Sequence, residues 1–101
     1  MAVMECQEIS VGQLKHALLS GTHVQLVDVR EIDEYRSGHI EGATLIPLGV
    51  LPYRLDEVSR ERETIVICRS GNRSKQACQI LKDHGYSNVK SLSGGLASWN
   101  A

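Results

Sequence analysis

Short apolar runs alternate along this chain with stretches whose apolar residues recur every three or four positions, the rhythm of strands alternating with helices. Glu5 to Ile9 fits a short first strand. Ser10 then opens a helix, with Gln13 completing a capping box and Val11, Leu14, Leu18 and Leu19 supplying an apolar stripe. Gly21 is placed to stop that helix in the left-handed conformation. Val24 to Val29 is β-branched and apolar apart from Gln25 and Asp28, the pattern of a buried strand. Glu31 to Arg36 suits a short helix closed by Gly38, and Ala43 to Ile46 a brief strand ended by Pro47. Leu48 to Val58 is amphipathic, with Pro52 expected to break or restart it. Thr64 to Ile67 reads as the central strand. From Ser74 a helical pattern puts Ala77, Cys78 and Leu81 on one face with Ile80 beside it, and Gly85 stops it. Asn88 to Leu92 makes a last strand, and Gly94-Gly95 begins a final helical turn carrying Leu96 and Trp99.

This rhythm predicts an α/β fold: a mainly parallel sheet covered by helices on both faces. Such sheets bind ligands at the carboxyl ends of their strands, near a switch in strand order. A length of 101 residues supports one domain over 1–101 with one core. The chain is 42% hydrophobic and 23% charged, which suits a soluble globular protein, and no apolar run approaches a membrane span. Eleven Lys and Arg against 12 Asp and Glu leave a net charge of -1, which argues against nucleic acid or an anionic membrane as partner.

The chemistry is concentrated where the central strand ends. Ile65 to Ile67 runs into Cys68, small, polar and cationic residues follow, and then a helix begins. A thiol at that junction meets free main-chain N–H groups and the positive end of a helix dipole. Arg69 and Arg73 add two permanent charges nearby. Such surroundings lower a cysteine pKa and make a nucleophilic thiolate, so Cys68 reads as a catalytic nucleophile. Cys78 reads as core, and Cys6 is given no role. Three cysteines cannot all pair, none stands in a CxxC, and three free thiols suit a reducing compartment. The start Met-Ala-Val-Met-Glu-Cys lacks the features of a secretory signal, so a cytoplasmic protein is expected. The scattered histidines, His16, His23, His39 and His84, give no metal-binding spacing.

Several parts in order resemble the rhodanese-like (sulfurtransferase) domain family over nearly the whole chain. They are Leu26-Val27-Asp28-Val29-Arg30, Glu31 with Glu34-Tyr35, and Gly38-His39-Ile40-Glu41-Gly42-Ala43 with Ile46-Pro47. Cys68-Arg69-Ser70-Gly71-Asn72-Arg73-Ser74 follows, and Gly94-Gly95-Leu96 with Trp99 closes the series. The resemblance implies a five-stranded parallel sheet flanked by helices and a cysteine that carries sulfur as a persulfide. By position, Cys68 would bear the persulfide, and Arg69 and Arg73 would hold an anionic donor such as thiosulfate. Arg69, Ser70, Gly71, Asn72, Arg73 and Ser74 would form the cradle. A thiol, cyanide or a protein persulfide partner would complete the exchange, with no metal or organic cofactor. The family usually continues past the Trp99 motif with a Gly-Pro-bearing tail, whereas this chain stops at Ala101, as a trimmed or excised domain would.

Loop length separates this chemistry from its neighbours. Related dual-specificity phosphatases use a loop longer by one residue, wide enough for a tetrahedral phosphate; here four residues separate Cys68 from Arg73. The tighter ring suits a sulfur atom, which disfavours phosphatase or arsenate chemistry. A non-catalytic interaction module is the other alternative, and it would have no need of Cys68. Asp28 and Arg30 read as an architectural network, because a buried charge persists when it is paired. His39 is expected to anchor backbone, Trp99 to pack on the sheet, and Gly42, Gly71, Gly94 and Gly95 to supply positive φ or close approach.

Overall fold

The computed structural model describes residues 6–100. Five strands form one sheet in the order β1-β5-β4-β2-β3. They are β1 (Gln7–Ile9), β2 (Val24–Asp28), β3 (Thr44–Leu45), β4 (Glu63–Ile67) and β5 (Val89–Leu92), and every adjacent pair is parallel. The helices are α1 (Val11–Leu19), α2 (Ile32–Ser37), α3 (Asn72–Asp83) and α4 (Gly95–Trp99). All five strands expected from the sequence are present, with shifted ends; Glu5, placed in the first strand, lies outside the described residues.

Alternation along the strands divides the core in two. Val27, Val29, Val66 and Val89 point to one face with Ala77, Cys78 and Leu81 of α3. Leu26, Ile65, Ile67 and Leu92 point to the other with Leu14 of α1 and Leu96 of α4. Strands buried on both sides are therefore apolar at nearly every position, which is how the sequence displayed them. Ser10 caps α1 through the expected box: its Oγ accepts from the Gln13 N–H at 3.0 Å, and the Ser10 N–H donates to Gln13 Oε1 at 2.9 Å.

Three expectations are corrected. The stripe of α1 is narrower than read: Leu14 is buried and Val11 half-buried, but Leu18 is 37% and Leu19 89% exposed. Leu19 lies about 140° round the helix from Leu14, off the buried face. Pro52 does not break its segment; it sits inside a 3-10 turn, Leu48–Tyr53, and the break comes at Arg54 before a second turn, Leu55–Glu57. The thiols are not all free. Cys6 and Cys78 form a disulfide with Cα atoms 6.0 Å apart, tying the segment before β1 to α3 and leaving Cys68 as the free cysteine. The cysteine count therefore no longer argues for a reducing compartment. Among the described residues, no helix is long and apolar enough to cross a membrane.

Candidate active site

β2 and β4 lie side by side, yet the chain leaves β2 toward β3 at one edge and β4 toward β5 on the other side. That divergence is the switch in strand order, and the residues just past the two strand ends, Arg30 and Cys68, stand at it. By the twofold alternation of β4, Cys68 follows Val66 onto the face covered by α3.

Gly71 makes the turn that follows. Its φ of 107° is unfavourable for a residue with a Cβ, and it lets α3 begin at Asn72, earlier than the Ser74 start read from the pattern. The Gly71 N–H donates to Cys68 Sγ at 2.9 Å. The earlier start also places Ser74 in the first turn of α3 with its side chain inward and fully buried. Its Oγ lies 3.4 Å from Cys68 Sγ, 3.0 Å from the Gly71 carbonyl and 2.5 Å from Ser91 Oγ.

Cys68 is 1% exposed. Burial pushes its thiol up, but the Ser74 hydroxyl and the main-chain N–H groups of Ser74, Gly71 and Ser70 outweigh it, and the thiol lies below the ordinary cysteine range. The sulfur is thus buried among donors rather than in an apolar pocket. The side chains of Arg69, Ser70 and Asn72 are on the exposed side of the loop, so Ser70 and Gly71 reach the sulfur through main chain alone.

The two arginines have different surroundings. Arg73 is held by Glu34 of α2 in a two-pronged pair at 2.6 and 2.8 Å. That hydrogen bond raises the Arg73 guanidinium above its usual value, with the charges of Glu34 and Cys68 adding to it. The Arg73 contact, followed by the Glu31 N–H, pulls Glu34 down to about 2. Arg69 is exposed, and no described side chain engages its guanidinium. It lines a cavity of about 370 Å³ with Arg30, Glu34, Ser37, Leu96, Ala97 and Asn100.

Besides the Arg73–Glu34 pair, hydrogen bonds brace the end of β2 and the loop itself. Arg30 donates from Nε and Nη2 to the Asp28 carboxylate at 2.8 to 3.1 Å and from Nη2 to the Gly38 carbonyl at 2.8 Å, the network expected for this pair. On the other side, the Leu96 and Ala97 N–H groups of α4 donate to the Cys68 and Arg69 carbonyls at 2.8 and 3.0 Å. Gly95 approaches the same carbonyls so closely that a Cβ would collide with them, and a Cβ at Gly94 would collide with the Ser98 side chain. His39 serves backbone as expected: its Nδ1 is 2.9 Å from the Tyr35 carbonyl, and its ring stacks on Tyr35. Trp99 packs half-buried against the core beside α1, with Lys15 over its ring.

Sequence reasoning missed Glu34 as the partner of Arg73, Ser91 behind Ser74, and the α4 amides. Only Ser91 left a signal: a polar residue two positions after Val89, hence inward-facing, in a strand otherwise read as buried.

The rhodanese-like domain family matches residues 10–101. A sulfurtransferase of Allochromatium vinosum is 38% identical over 91% of this chain and 86% of its own length. A putative sulfurtransferase of Bacillus subtilis is 35% identical over 95% of this chain and 92% of its own. The crystal structure of a rhodanese-like domain protein from Staphylococcus aureus superposes with a TM-score of 0.87 at 31% identity, covering 92% of this chain and 90% of that one. With the family matched over residues 10–101 and a solved rhodanese-like domain superposing over nearly the whole chain, this chain belongs to the rhodanese-like domain family.

Proposed function

We propose that the protein is a sulfurtransferase in which Cys68 takes the outer sulfur of an anionic donor, with thiosulfate as the simplest case, and passes it to a thiophilic acceptor. The observation that carries this reading is the set of donors turned onto a buried Cys68 Sγ, which pull the thiol down against the burial that pushes it up.

In the first step the Cys68 thiolate attacks the outer sulfur of thiosulfate. The new S–S bond forms as the donor's own S–S bond breaks, and the electron pair leaves with sulfite. The Cys68 persulfide that results carries its charge on the outer sulfur, where the main-chain N–H groups of the loop are suited to hold it. In the second step a thiol or cyanide attacks that sulfur, and the electron pair of the breaking bond returns to Cys68 Sγ. Two displacements through one covalent intermediate give ping-pong kinetics. Arg69, exposed at the cavity and without a partner among the described residues, is the residue suited to meet the donor's anionic group. Arg73 acts by holding the loop to α2 through Glu34. A protein-bound persulfide is a second possible source of the sulfur, and it would meet the same exposed Arg69.

The test is sulfur transfer from thiosulfate to cyanide by the purified protein, read as thiocyanate. Transfer that disappears in Cys68→Ala supports the proposal, and transfer that survives it refutes it.

A further inference from the structure

Ser91 takes no part in the transfer just described, yet it is placed behind its nucleophile. It lies in β5, an internal strand between β1 and β4, paired in register with Val66. Like Val89, two positions earlier, it faces α3, and it is fully buried. A hydroxyl in that position replaces apolar packing and has to find a hydrogen-bond partner in the protein. It finds Ser74 Oγ at 2.5 Å.

The protons of this cluster can be counted. Ser74 has one to give, and its Oγ is within reach of the Gly71 carbonyl and of Cys68 Sγ. Among the described residues, Ser91 has one hydrogen-bond neighbour for its own proton, Ser74 Oγ. While Cys68 is a thiol, its S–H and the Ser91 O–H both point to Ser74 Oγ, and Ser74 donates to Gly71. When Cys68 loses its proton, the Ser74 hydrogen turns to the sulfur while Ser91 continues to donate from behind. A donor whose own oxygen accepts a hydrogen bond is polarised and donates more strongly.

We propose that Ser91 is a positioning residue: by donating to Ser74 it directs the Ser74 hydroxyl onto Cys68 and stabilises the thiolate between turnovers. This rests on Cys68 being the nucleophile. The charged groups around the sulfur are Arg69 in the loop, Arg73 with Glu34 behind it, and the Asp28–Arg30 pair beyond β2. A substitution at Ser91 removes none of them.

The experiment is the rate of iodoacetamide alkylation of Cys68 against pH, in the wild type, Ser91→Ala and Ser91→Thr, with the modified peptide identified by mass spectrometry. Because Cys6 and Cys78 are joined, the reagent reports on the free thiol. Ser91→Ala is expected to move the profile to higher pH and to slow alkylation about three- to tenfold at a pH below the wild-type midpoint. Ser91→Thr, which keeps the hydroxyl, is expected to restore the profile. An Ala profile superimposable on the wild type overturns the proposal, as does an equal displacement by Ala and Thr, which would report packing alone. Thiosulfate loading of the same samples separates the two ideas. Wild type that takes up sulfur with an unmoved Ala profile defeats the role of Ser91 only, and wild type that takes up none defeats the transfer reading.

Discussion

At the scale of single residues, the site turns on how one buried sulfur is surrounded. Cys68 is buried as deeply as its apolar neighbours Val66 and Ile67, and burial alone would make it an inert thiol. The Gly71 N–H and the Ser74 hydroxyl oppose that, so in the proposed function the difference between a core cysteine and a nucleophile lies within a few ångströms of Sγ. In the proposed transfer the two arginines, alike in sequence, divide the work. Arg69→Ala should raise the KM for thiosulfate about tenfold with a smaller change in kcat, the loss of a charge-assisted contact to a substrate. Arg73→Ala should act mainly on kcat and stability, because its guanidinium is taken up by Glu34. Steady-state kinetics of both variants check this, and the reverse pattern would assign the donor to Arg73. What was legible here was local. Cys68 stood out because a strand, a thiol and a helix start are contiguous in sequence, and the Asp28–Arg30 pair spans two positions. The Arg73–Glu34 contact spans 39 positions, and nothing in the hydrophobic pattern joins them.

At the scale of elements, the loop is held from two sides, by α2 through Glu34 and Arg73 and by the amides of α4. The α2 clamp has a defined pH dependence. Glu34 titrates near its usual 4.5 when unfolded and at about 2 when folded. Its contribution is therefore complete above about pH 4.5 and is lost as the pH falls through about 2. Glu34→Gln should cost about 1 kcal/mol at neutral pH, since both partners are partly exposed and solvent screens the pair. Urea unfolding at a series of pH values should show the difference between wild type and variant shrinking toward pH 2. A difference that does not vary with pH would show that Glu34 acts through packing and not through charge. Element boundaries were the part the pattern blurred. The pattern placed the α3 start at Ser74, whereas a start at Asn72 puts Ser74 in the first turn with its side chain inward beside the sulfur. The cause is Gly71, whose positive φ allows the helix to begin within the polar run.

At the scale of the whole molecule, the architecture follows from the alternation of short apolar runs with helical stripes, which is why the parallel sheet is readable in the sequence. The strand order and the bond between Cys6 and Cys78 are not, because each depends on residues brought together from far apart. The bond closes a loop across a sequence separation of 72. Reduction, or Cys6→Ser, should lower stability by about 2–4 kcal/mol in urea unfolding, since a loop of this length strongly restricts the unfolded chain. Sulfur uptake on Cys68 should persist in the same sample, because that thiol is not part of the bond; loss of uptake would tie the brace to the site. The most direct measurement of the central claim is the mass of the intact protein after incubation with thiosulfate and removal of excess reagent. A gain of one sulfur atom is expected, located on Cys68, reversed by cyanide and absent from Cys68→Ala. An unchanged mass, or a sulfur that survives in Cys68→Ala, would contradict it.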